Sequence, residues 1–105
     1  MVTQPHFPDR IRSLPPFDGP LDAFRLSANV CEVLFASYPS GTVIEPHSHE
    51  SENCGIITEG ELLLTLEATE RRYVAGDWYP PLAPGRVHSA RFEVHTSEIE
   101  FWFET

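Results

Sequence analysis

The chain has 105 residues, room for one domain, and its 41% hydrophobic content is enough to fill a single core without disulfide staples. Seven Lys and Arg against sixteen Asp and Glu leave a formal charge of −9, a field that repels phosphate backbones and anionic surfaces and so argues against nucleic acid as a partner. No stretch approaches the roughly 20 apolar residues of a membrane helix, and residues 1–10 hold no apolar signal core, so the expectation is a soluble, cytoplasmic protein without a membrane partner.

Ten prolines and six glycines interrupt the chain too often for long helices, and the runs between them are short and rich in Val, Ile, Leu, Phe and Tyr. This composition predicts an all-β domain. Residues 1–20 carry Pro5, Pro8, Pro15, Pro16 and Pro20, too few N–H donors for a continuous ladder, and read as an extended N-terminal arm before a barrel domain of residues 21–105.

Strands are expected at about 30–38, 42–49, 55–58, 61–67, 71–74, 77–79, 87–92 and 99–103, which is the number of short strands found in an antiparallel sandwich or jelly-roll barrel. Glu59-Gly60 lies between two apolar runs and reads as a hairpin turn, because glycine supplies the positive φ such turns need. In the last strand Ile99, Phe101 and Phe103 alternate with Glu100, Trp102 and Glu104. The second set reads as an outward acidic face on which Trp102 would serve a homodimer interface. Cys31 and Cys54 lack CxxC spacing and read as buried free thiols.

Five histidines occur, at 6, 47, 49, 88 and 95. His6 falls in the arm and His95 in a turn, and both read as solvated. His47 and His49 are alternate residues of one strand, so their rings point to the same side and form half of a site for a first-row metal. Gly41 precedes His47 by six positions and Gly60 follows His49 by eleven; a Pro84-Gly85 turn leads into a later strand that begins near His88.

The two segments GTVIEPHSHESENCGIITEG, residues 41–60, and GDWYPPLAPGRVHSARF, residues 76–92, resemble the paired motifs of the cupin superfamily. The resemblance spans about residues 30–103 and implies a small single-domain cupin, a conserved antiparallel jelly-roll barrel. It further implies one divalent metal, Fe, Mn, Ni, Cu or Zn, bound by His47, His49 and His88. Asn53 stands where the family carries a glutamate ligand, and Glu52 is the alternative carboxylate nearby. Phe92 takes the place of the final asparagine in the second motif.

Three imidazoles and an amide would leave the ion's charge uncompensated, and such a site should attract a small polar or anionic metabolite. Strand parity places Val43 and Glu45 with His47, Ile57 with Asn53 and Phe92 with His88 on the pocket wall, and Phe35 and Tyr79 are further candidates for it. Tyr38, Tyr79 and Glu45 are candidate proton donors, and Arg86 and Arg91 candidate anchors for a carboxylate. The activity classes implied are dioxygenase, isomerase or lyase. The alternatives are a sensory or non-catalytic binding cupin and a metal-free structural barrel.

Overall fold

The structure, a computed structural model, describes residues 9–19, 21–27 and 30–103. One turn of helix, α1 (Asp9–Arg12), precedes nine strands: β1 (Asp22–Ser27), β2 (Cys31–Tyr38), β3 (Thr42–His47), β4 (Glu52–Glu59), β5 (Glu61–Leu66), β6 (Thr69–Val74), β7 (Trp78–Leu82), β8 (His88–Phe92) and β9 (Thr96–Phe103). They form two antiparallel sheets, ordered β1-β2-β9-β4-β7 and β3-β8-β5-β6. Two such sheets laid face to face make a jelly roll, with alternate residues of each strand turned inward. Among the described residues no helix is long and apolar enough to cross a membrane.

The inward faces supply the core. Leu34, Ala36 and Tyr38 come from β2, Leu62 and Leu64 from β5, and Ile57, Tyr79, Leu82 and Phe92 from the strands between them. The Tyr38 and Phe92 rings stack with centroids 4.2 Å apart and tie one sheet to the other.

Several expectations change. Residues 9–19 are not an extended arm over their length: Asp9–Arg12 is helical, and Pro16 makes a single bridge to Phe24 of β1, a strand of the barrel segment that the sequence does not predict. Pro5, His6, Pro8 and Pro20 lie outside the described residues, as does Glu104. Glu59-Gly60 is not a hairpin. β4 belongs to the five-stranded sheet and β5 to the four-stranded one, so this turn carries the chain across the core. Gly60 has φ +80, and a Cβ there would lie 2.3 Å from the His95 carbonyl oxygen, so glycine is needed at this corner on two counts.

The tight hairpin lies one strand later. Leu66 pairs with Thr69 across a two-residue loop of Glu67 and Ala68, both at positive φ (49 and 65). The loop contains no glycine, asparagine or aspartate, the residues by which such turns are recognised in a sequence.

The acidic face of β9 is turned inward. Glu98 and Glu100 are buried, Trp102 is half-buried, and Phe103 is the exposed residue at the strand end. The alternation was read correctly and its direction inverted, because Ile99 and Phe101 cover the outside of the five-stranded sheet. There Phe101 stacks on exposed Trp78, with ring centroids 5.9 Å apart. Trp102 therefore belongs to the inward side of β9 and not to an outward acidic face. Both cysteines are free, as read, and are half-buried.

Candidate metal centre

His47, His49 and His88 converge at one end of the barrel. β3 and β8 are paired strands, and His47 stands opposite His88 in their register. Between Ile44 and His47 that register slips, as at a bulge, where an extra residue resets the alternation of faces. Pro46, which has no N–H to give a ladder, occupies this irregular step. The slip turns Thr42, Ile44, His47 and His49 all toward the interior, where they line one cavity. Without it, parity would put Val43 and Glu45 on the histidine side; both are exposed.

One ligand nitrogen from each histidine lies within 4.8 Å of the other two. His49 Nε2 and His88 Nε2 are 3.1 Å apart. The opposite ring nitrogens face main-chain carbonyls: His47 Nδ1 the oxygen of Glu45 at 2.9 Å, His88 Nδ1 that of Arg86 at 3.0 Å, and His49 Nδ1 that of Ser51 at 3.4 Å. A proton on Nδ1 that donates to a carbonyl leaves Nε2 as a bare lone pair, the arrangement by which metal-binding histidines are oriented. Two such nitrogens 3.1 Å apart are held together either by one proton shared between them or by a cation that both ligate.

Burial lowers the His49 pKa, with the His88 ring as the next cause, and burial likewise lowers that of His88. Both shifts favour the neutral imidazole that ligates. Nitrogens bonded to one zinc ion at about 2.0–2.1 Å lie at most about 4.2 Å apart. A tetrahedral ion at that bond length separates its ligand nitrogens by about 3.4 Å, close to the 3.1 Å between His49 Nε2 and His88 Nε2, so the three residues can hold a first-row divalent ion.

Asn53 is buried beside them. Its amide nitrogen donates to the Phe101 carbonyl at 3.2 Å, and its amide oxygen accepts from the Tyr79 hydroxyl at 2.9 Å. Glu52 is half-buried, precedes Asn53 on the alternate face of β4, and acts electrostatically on Cys54 of that face. It is not part of the three-histidine cluster. Gly55 makes room for this arrangement, since a Cβ there would sit 2.5 Å from the Tyr79 hydroxyl.

The cavity beside the histidines measures about 420 Å³, within the usual range for small-molecule sites. Tyr79 and Phe92 line it, as does Asn53. Ile57 is fully buried in the core, and Phe35 lies on the alternate face of β2 from Leu34 and Tyr38, which do line the cavity. Glu45 is exposed and approaches the site through its carbonyl.

Trp102 meets His49 edge-on, with centroids 4.6 Å apart. Below it Glu100 accepts from Trp102 Nε1 at 3.3 Å and from the Tyr38 hydroxyl. The sequence reading missed Glu98 and Glu100 as interior groups; their spacing with Trp102 was the available signal. Burial, and after it the neighbouring acids, push the Tyr38 and Tyr79 pKa values far up, so both phenols keep their protons.

The arginines face elsewhere. Arg91 grips Glu70 with two bonds of 2.8 and 3.0 Å and Glu93 with a third of 3.0 Å, and Arg86 lies 3.7 Å from Glu67. His95, read as solvated, lies 3.2 Å from Glu59 and is mostly covered.

Among curated proteins the chain is similar to H2HPP isomerase of Bacillus subtilis, 32% identical over 68 residues. That match takes in 65% of this chain and 29% of the relative, so the chain spans under a third of that protein. No protein-family model matches. Among solved structures it resembles an RmlC-like cupin from Shewanella frigidimarina NCIMB 400, with TM-score 0.78 and 18% identity over 90% of this chain and 86% of the other. It also resembles a Cupin 2 conserved barrel domain protein from Salinispora arenicola CNS-205, with TM-score 0.73 and 20% identity over 100% and 92% of the two chains.

Proposed function

Because the chain has the cupin fold, we propose that it is a metal-dependent enzyme of small molecules, an isomerase acting on an anionic or enolisable substrate. The observation that carries this reading is the convergence of the His47, His49 and His88 ligand atoms within 4.8 Å beside a largely apolar cavity. The similarity to an isomerase supports the reaction type.

His47, His49 and His88 would hold the divalent ion, their outer nitrogens anchored on carbonyls of the adjoining chain. A divalent ion held there by three imidazoles would keep its charge for the substrate and would supply Lewis acidity toward a carbonyl oxygen. The protein contributes positioning and exclusion of water. Trp102 packs against His49 and limits its rotation, while Tyr79 fixes Asn53 next to the cluster. The apolar walls formed by Leu34, Ile44, Leu64 and Phe92 confine the substrate.

Elemental analysis of protein purified without a histidine tag tests this. Wild type is expected to carry close to one divalent ion per chain, and His88→Ala to lose it. An isomerisation screen of small oxo acids with the loaded protein then reads the activity. Failure to take up Fe, Mn, Ni, Cu or Zn after reconstitution would overturn the assignment.

A further inference from the structure

The cavity has a second polar end. Residues alternate along β9, so Glu98, Glu100 and Trp102 all line its wall. Glu98 and Glu100 are each 3% exposed. Acids this deeply buried are rare unless something pairs with them. Glu100 is well served, by the Tyr38 hydroxyl, by Trp102 Nε1 and by a hydrogen bond with Glu98. Glu98 is not: the residue lines the cavity, and its Oε1 is buried with no hydrogen-bond partner. A structure does not leave such an acceptor dry without cost, and a donor arriving through the cavity would remove that cost.

Burial, with the Glu100 charge beside it, pushes the Glu98 pKa well above the usual carboxylate range. Glu98 therefore keeps its proton, and a carboxylic acid still offers an acceptor oxygen. Trp102 marks the histidine level, and Glu98 lies four residues back along β9, roughly 13 Å at 3.4 Å per residue. Between the two ends, the flat surface of Phe92 stacked on Tyr38 offers an apolar wall.

We propose that Glu98, supported by Glu100 and Tyr38, is the hydrogen-bond acceptor for the end of the bound molecule remote from the histidines. The ligand is then a short molecule with metal-binding oxygens at one end, an apolar or aromatic middle and a hydroxyl or amino group at the other. The inference rests on reading this cavity as the ligand site.

Two hydroxamates serve as probes in the zinc-loaded full chain: phenylacetohydroxamate and its 4-hydroxy derivative. Calorimetry is expected to show the 4-hydroxy compound binding about tenfold more tightly to wild type. Glu98→Gln keeps an acceptor oxygen and should retain the preference; Glu98→Leu should abolish it, with thermal unfolding confirming that each variant folds. A metal-free arm compares 4-methylphenol with 4-methylanisole by NMR titration, and the same Glu98-dependent preference is expected. No preference in wild type, or one that persists in Glu98→Leu, overturns the proposal. Failure to load zinc counts against the metal assignment alone, and the phenol arm then decides the role of Glu98.

Discussion

Asn53 and Tyr79 show how a single contact supports the site. The Tyr79 hydroxyl donates to the Asn53 oxygen in a buried setting, and Gly55 leaves the space in which that hydroxyl lies. Tyr79→Phe strips a buried acceptor of its partner and should lower stability by about 1–3 kcal/mol. Because the two side chains share one bond, Asn53→Ala combined with Tyr79→Phe should cost less than the sum of the single changes, with a coupling of about 0.5–3 kcal/mol. Urea unfolding of the four proteins in the cycle measures it, and strict additivity would refute the coupling. Asn53 was legible as a site residue from its place in the motif. Its partner was not, because Tyr79 lies on β7, twenty-six positions away, and only strand pairing brings the two together.

At the scale of elements, the β5–β6 hairpin turns on Glu67 and Ala68 in the left-handed region, where a Cβ is costly. Ala68→Gly relieves that cost and should raise stability by about 1 kcal/mol; an unchanged urea midpoint would show that the turn relaxes by another route. The slip between β3 and β8 has the larger consequence for function, because it brings His47 to the same interior as Ile44. Alternation read along 42–49 places His47 and His49 together but adds Glu45, which is exposed and not on the cavity wall, and leaves out Ile44, which is on it. A bulge is a property of two paired strands, and one strand's sequence carries only the hint of Pro46.

At the scale of the whole molecule, two opposed groups of titratable side chains are enclosed in one barrel. Glu98 is held protonated, so its folded-state pKa lies above the roughly 4.3 of an unfolded glutamate. The native state then binds the extra proton, and this contribution to stability is full below about pH 4.3 and is lost as pH rises toward the folded value. His49 and His88 run the other way: their lowered pKa values make stability increase as pH rises through about 6.5. Comparing metal-free wild type with Glu98→Gln at each pH isolates the glutamate. The variant should gain on wild type steadily from pH 5 to pH 8 in urea unfolding, and parallel curves would contradict a protonated Glu98.

The sequence by itself determined the β class, most strand positions and the three histidines, since these depend on period-two alternation, turn residues and short-range spacing. Ile99, Phe101 and Phe103 were legible as one face and Glu100, Trp102 and Glu104 as the other, but alternation does not say which face meets the core. Tertiary structure decided that. The stacked sheets leave the Glu98 and Glu100 side on the cavity, where Tyr38 and Trp102 satisfy Glu100, and put the apolar side outside around Trp78. The same holds for the corner at Gly60 and the hairpin at Glu67-Ala68: which sheet a strand joins is settled by long-range pairing, and the free energy of that pairing overrides the local turn signal.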